Sequence, residues 1–479
     1  MIEPKDLPTL TREELLAWVA ELQRQIAELR TSHEALRAEI DQLKRGGKRQ
    51  ATPFSRGTRV TDPMPPGRKP GSGTFRYREA PPPETVTEPP VEVPVTLAGC
   101  PTCGGPLEEE RVDCVSTTEL PERPRPQVTQ YRVWVCRCTV CGHQVRGQHP
   151  DLASEQYGAT AHRLGPRVRA AAHALHYGMG VPVRKVPAVL QVLTGVQVTQ
   201  GALTQDALRQ AQDTVGTVYE QLRAAVPVAP VVHTDDTGWR VGGEAAYLMA
   251  FETDTATVYQ VRSRHRHEEV QEVIPADYEG VMVTDRGRSY DAQAFDHVAQ
   301  QKCLSHILRA LRDVAEAKRG RARDFGAQLK GLLQDALALW QAHRDGDAPQ
   351  FKAEAEALHA ELTYHLRDRR LQEPDNQRLL NELGWHHDRG NLVRFLVDPR
   401  IEPTNNRAER ALRPAVIARK VSQCSKSGRG ADAFAVFTSV IRTLVNAGAG
   451  SVVDELSKLF RRTHPQHVPT SPARLAANQ

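Results

Sequence analysis

The 479-residue chain contains no stretch of about eighteen consecutive apolar residues, so neither a helix spanning a bilayer nor a membrane partner is expected. Its first residues, MIEPKDLPTLTREELL, lack the basic-then-apolar pattern of a secretory signal, so a cytoplasmic location is expected. Large net charge is also missing: the balance is only +5. That charge is unevenly placed, however. Between Lys44 and Glu79 there are ten Lys or Arg and two acids, the composition of a segment that lies along phosphates. Eight cysteines in a cytoplasmic protein imply bound metal or free thiols rather than disulfides. With 39% hydrophobic and 25% charged residues the bulk is globular, and the length calls for two to four domains.

Leu15, Leu22, Leu29, Leu36 and Leu43 recur every seven residues, and Val19, Ile26, His33 and Ile40 do so three places before a leucine. β-Branched residues at one core position and Leu at the other favour a parallel two-stranded coil, expected over 11–45. An amphipathic helix packed on its own domain is the alternative. Residues 46–95, with PPGRKPGSG and APPPETVTEPP, read as a Pro/Gly-rich linker, basic in its front half and including Arg68 and Lys69. It is either a DNA contact or a solvated tether. Then come CPTCGG (Cys100, Cys103) and CTVCGH (Cys138, Cys141), two C-x-x-C knuckles each followed by glycine. They predict a zinc ribbon over 96–150 whose structural metal supplies folding stability, with Cys114 and Cys136 as spare thiols. Residues 151–226 are helical by pattern. Gly195 in a turn and Thr199 as a cap suggest a helix-turn-helix, with a plain helical packing unit nearly as well supported.

From Pro227 the pattern turns to strands. PVVHTDDT, EAAYLMAFET and ATVYQVRS are followed by the helix HEEVQEVI, the strand GVMVTDR and the helix in CLSHILRALRDV. Three antiparallel-type strands, a helix and a returning strand predict an α/β, ribonuclease H-like core over 227–440, interrupted by a helical insertion at about 315–397. A C-terminal helix and tail would occupy 441–479. In that arrangement Asp235 and Asp285 each close an apolar strand, where an unpaired charge is costly, and Glu409 lies on a helix opening near Thr404. Asp236 competes with Asp235, but strand alternation sends neighbours to opposite faces, so only one of them can join the other acids.

VVHTDDTGWRV, VTDRGRSY, CLSHILR and above all PTNNRAERALRP resemble transposases of the insertion-sequence-66 family, from about Leu15 to Ala449. The resemblance implies a DDE catalytic domain with Asp235, Asp285 and Glu409 as its acids. It departs where the family usually has Asp-Glu-Thr and this chain has Asp235-Asp236-Thr237. His306 and Arg309 match the family's Cys-x-x-His-x-x-Arg segment. The expected activity is cleavage at the element's ends, then strand transfer of the freed 3′-hydroxyl into target DNA. Two magnesium ions (or manganese), about 3.5–4 Å apart, serve such displacements. Asp235 would bridge them, with Asp285 and Glu409 each holding one.

Arg288, His306, Arg309, Arg410 and Arg413 are candidate phosphate contacts, with surface charge or ion pairing as the alternative. Expected partners are terminal inverted repeats, target DNA, a second copy through the coil, and accessory proteins encoded by the same element. Two rival functions stand beside this one. A ribonuclease H-like nuclease would cut without joining. A catalytically inactive DNA-binding regulator would need only coil, ribbon and linker.

Overall fold

The computed structural model describes residues 11–47, 82–149 with short breaks, 164–367 and 369–461. Arg68 and Lys69 lie outside the described residues. The chain divides into two compact units, one of Met1–Ser55, Val128–Val192 and Val196–Gln479, the other of Arg56–Gln127 with Leu193–Gly195. Among the described residues no helix is long and apolar enough to cross a membrane.

In the smaller unit the first knuckle is a tight turn. The Cys100 N–H donates to the Gly105 carbonyl at 2.9 Å and the Gly104 N–H to the Cys100 carbonyl at 2.8 Å. The second knuckle, in the larger unit, repeats the pattern: Cys138 N–H to the His143 carbonyl at 2.7 Å, Gly142 N–H to the Cys138 carbonyl at 3.0 Å. Strands β1 (Val135–Arg137) and β2 (Gln144–Arg146) flank it as an antiparallel pair. Gly104 and Gly142 take φ of 72° and 73°, a conformation that suits glycine. In both turns backbone amides reach the first thiol, so Cys100 and Cys138 ionise more readily than ordinary cysteines.

A single helix runs Arg12–Gly47. Val19, Leu22, Ile26, Leu29 and Leu36 of the heptad pattern are exposed along it; the side chains of Leu15, Ile40 and Leu43 lie outside the described ones.

The centre of the larger unit is a five-stranded mixed sheet: β3 (Val231–Val241), β4 (Glu244–Glu252), β5 (Thr257–Arg262), β6 (Val281–Thr284) and β7 (Ala299–Lys302), in the order β5-β4-β3-β6-β7. The first three strands pair antiparallel, and β6 and β7 run parallel to β3. A two-residue turn joins β3 to β4, and only glycine makes it cheaply: Gly242 and Gly243 sit at φ 61° and 93°.

Strand alternation builds a core on each face. Val232, Met249, Phe251 and Val258 face one side, together with Val215, Tyr219, Phe437 and Phe460. Trp239, Leu248, Ala250 and Tyr259 face the other, against Ala411, Leu412, Ala415 and Phe434. The helices that directly follow β7 pack around Leu311, Leu333, Trp340, Leu362 and Phe395, in a core that also takes in Val283 of β6. They are Leu304–Ala317, Arg321–Asp345, Phe351–Leu366, Pro374–Asp388 and Arg394–Val397.

Helices Pro166–His173, Gln200–Gln210 and Thr214–Ala225 share a core with the sheet. Helix Gly428–Asn446 contributes Phe437 and Ile441 to the same core. Buried polar contacts lock this packing: Asp206 accepts from Arg169 at 3.1 Å and lies 2.9 Å from His173 Nε2. Gly195, between helices Val186–Thr194 and Gln200–Gln210, takes a φ of 74°, and the Thr199 hydroxyl caps the second of these helices by accepting from the Ala202 N–H at 3.2 Å.

Candidate active site

Asp235 does not close its strand, contrary to expectation. It lies mid-strand, because pairing with β4 continues to Val241↔Glu244 while pairing with β6 stops at Thr234↔Thr284. Asp235 is thus the first residue of β3 beyond its parallel neighbour, and Asp285 is the first residue beyond β6. The two carboxylates therefore emerge side by side where the strands part.

The register from His233↔Glu252 to Val241↔Glu244 has no bulge, so residues two apart share a face. Asp235 falls on the face of Trp239, against which helix Asn406–Ser422 packs and from whose first turn Glu409 comes. Asp236 falls on the opposite face, where its carboxylate lies 2.9 Å from His265 Nδ1. His265 stacks edge-on against the buried Tyr290 ring.

The acids feel one another. Burial and the neighbouring Asp285, with further repulsion from Asp236 and Glu409, push Asp235 up to about 7, against a donated bond from the Asp236 amide. Asp285 Oδ1 accepts from the Gly287 N–H at 2.7 Å. A Cβ on Gly287 would lie 2.8 Å from that oxygen and 3.3 Å from the Tyr290 ring, so glycine lets the loop fold back over the acid.

Helix Asn406–Ser422 is held to the sheet at its start. Asn405, fully buried, donates its side-chain amide to the Thr234 carbonyl at 2.7 Å. Its own N–H donates to Cys303 Sγ at 3.2 Å, and the Cys303 N–H donates to the Thr284 carbonyl at 2.8 Å. Burial pushes the Cys303 thiol up, but His306 and the Asn405 amide beside it outweigh that and hold it below the usual thiol range. His306 is half-buried, with Nδ1 3.9 Å from Glu409 Oε1; Cys303 beside it raises its basicity against the opposing effect of burial.

The structure brings together Asp235, Asp285, Glu409 and His306. Arg288, Arg309, Arg410 and Arg413 are exposed, and none forms a side-chain ion pair among the described residues. Arg286, next to Asp285, makes a two-pronged pair with Glu382 of the insertion, both bonds 2.6 Å. Trp239 is core: its ring lies 4.8 Å from that of Phe434, and its indole N–H donates to Ser425 Oγ at 3.2 Å.

Sequence reading did not single out three residues near the acids. Lys302 is completely buried, its ammonium 2.7 Å from Asp291 and 3.1 Å from Thr284 Oγ1. Burial lowers its pKa, opposed by Asp291. His265 orients Asp236, and Asn405 ties the helix to the sheet. A lysine in a short strand beside two glutamines carries no distinguishing pattern, and neither does a histidine in a basic loop.

A search of curated proteins finds no match. Residues 162–433 of the 479 match the family model described as Transposase IS66 family, and the chain therefore belongs to the IS66 family of transposases, enzymes that act on DNA and generally use a divalent metal.

Proposed function

We propose that Asp235, Asp285 and Glu409 are the catalytic acids of a transposase that cleaves insertion-element ends and transfers the freed strand to target DNA. One observation carries this reading: Asp235 is held at about 7 by burial and by Asp285, with Glu409 adding to the repulsion. Three mutually repelling carboxylates at the parting of two strands are stable as anions only beside cations. The donor set, all carboxylate oxygen, suits magnesium or manganese. When bound, two such ions would supply Lewis-acid stabilisation to the attacking and leaving oxygens of an in-line displacement at phosphorus.

The chain's own groups do the rest. Asn405 and Gly287 orient the acids. Arg288, Arg309, Arg410 and Arg413, exposed and without an ion pair among the described residues, would grip phosphates. Asp236, turned away and bonded to His265, is not one of the trio. The strand order supports a ribonuclease H-like core, with the first acid on a central first strand and the second after the fourth.

The remaining assignments complete the reading. Each C-x-x-C knuckle supplies a pair of zinc-binding thiolates, Cys100 with Cys103 and Cys138 with Cys141. The N-terminal helix pairs with a second copy through its exposed heptad face, bringing two DNA ends together. Helices Val186–Thr194 and Gln200–Gln210 are candidates for reading the inverted repeats.

The test uses full-length protein, magnesium, and the inverted repeats that flank the coding region, intact and pre-cut. Wild type and Asp236→Asn cleave and join. Asp235→Asn and Glu409→Gln do neither. Cleavage by Asp235→Asn would refute the assignment. Wild-type cleavage without joining favours a nuclease, and binding without either favours a regulator.

A further inference from the structure

Cys303 precedes helix Leu304–Ala317, His306 lies in its first turn, and Glu409 projects from the first turn of helix Asn406–Ser422. One donor atom from each, a sulfur, a ring nitrogen and a carboxylate oxygen, lies within 4.8 Å of the other two. Among the described residues no other group of three His, Cys, Asp or Glu meets that spacing. His306 Nδ1 is buried and, among the described residues, has no hydrogen-bond partner. It faces Glu409 Oε1 at 3.9 Å. Backbone contacts fix the two helix starts against each other: the Leu304 N–H donates to the Pro403 carbonyl at 2.9 Å, and the Asn405 N–H to Cys303 Sγ at 3.2 Å.

This donor set is not one that magnesium selects. Magnesium demands oxygen in an octahedron, whereas thiolate with imidazole suits zinc. Around tetrahedral zinc, ligand atoms stand about 3.5 Å apart. The observed spacing must therefore contract by at most about 1.3 Å, and the half-exposed Glu409 side chain has the freedom to supply movement of its carboxylate.

We infer that Cys303, His306 and Glu409 form a site for a thiophilic divalent cation, zinc above all, separate from the magnesium pair but sharing Glu409 with it. The thiol gives up its proton to solvent on binding, His306 binds through neutral Nδ1, and a fourth position stays open to water. The consequence rests on the reading of Glu409 as a magnesium ligand. An ion held here withdraws that carboxylate from the trio, so zinc inhibits the enzyme.

The test is a cobalt(II) titration of metal-free, full-length protein without DNA, followed by thiolate-to-cobalt absorption. Cys303→Ser and His306→Gln are run beside wild type. The four knuckle cysteines are present in all three proteins and cancel in the difference. Wild type should take up one equivalent more than Cys303→Ser, and zinc but not a hundredfold excess of magnesium should displace that equivalent. His306→Gln should bind it at least tenfold more weakly. Equal uptake by the three proteins, or displacement by magnesium, overturns the inference. Circular dichroism shows whether Cys303→Ser, at a buried position, folds; His306→Gln gives an independent answer if it does not. No DNA enters this titration, so its failure leaves the catalytic assignment standing, and loss of strand joining by Asp235→Asn leaves the cobalt result standing.

Discussion

The side-chain amide of Asn405 donates to the main-chain carbonyl of Thr234 at 2.7 Å. Thr234 immediately precedes Asp235, and the Asn405 carbonyl accepts the Glu409 N–H at 3.2 Å. One buried side chain therefore sets the spacing between the strand of the first acid and the helix of the third.

Asn405→Ala removes this tie. It should cost about 1–3 kcal/mol of stability, the usual loss when a buried hydrogen-bond partner is deleted. Because Glu409 is freed to drift, DNA cleavage should fall by tenfold or more in protein that is still folded. Denaturant melts and cleavage assays on the same preparation check both parts. A destabilised protein with undiminished cleavage would show that Asn405 serves the fold alone.

Gly287 makes a steric prediction. A methyl group there would meet Asp285 Oδ1 at 2.8 Å. Gly287→Ala should displace the carboxylate and cut cleavage at least tenfold, with a melting temperature close to wild type because the loop is partly exposed. Full activity in Gly287→Ala would mean that Asp285 need not hold its observed position.

Asp235 predicts an unusual pH dependence. Burial and Asp285 raise it to about 7 from an ordinary value of 3.8. A carboxyl raised in the folded state costs stability when ionised: nothing below about pH 4, more as pH climbs, and the full amount above about pH 7. Asp235→Asn removes that cost. In magnesium-free buffer it should stabilise the protein by about 2–4 kcal/mol at pH 8 and leave it unchanged near pH 4. Thermal melts at the two pH values measure this. A variant that melts no higher than wild type at pH 8 would count against a strained carboxylate.

How much of this was legible in the chain divides by range. The strands, the insertion and the positions of Asp235, Asp285 and Glu409 were readable from local pattern and family motifs. Alternation also anticipated that Asp235 and Asp236 part company, although it could not say which face the Glu409 helix covers. Asp235's mid-strand position was hidden, because strand length depends on which neighbour pairs where. The burial of Lys302, the Asp236–His265 pair and the Asn405–Thr234 bond were invisible for a related reason. Each joins residues whose meeting is decided by the completed sheet. The core that helices of the 151–226 stretch share with the sheet was hidden too, because amphipathic helices do not announce what they pack against.

The exposed heptad face of helix Arg12–Gly47 carries a prediction about assembly. Deleting residues 1–44 should convert a dimer to a monomer in sedimentation, and should weaken joining of paired ends while sparing binding to a single end. Identical sedimentation of the two proteins would remove the coil from the account.

Manganese binding to DNA-free protein at pH 8, read from the paramagnetic resonance of the free ion, goes straight to whether the three carboxylates act together. Asp235→Asn, Asp285→Asn and Glu409→Gln should each weaken manganese binding at least tenfold relative to wild type, and Asp236→Asn should not. Wild-type affinity in Glu409→Gln would separate that acid from the other two and contradict the shared site.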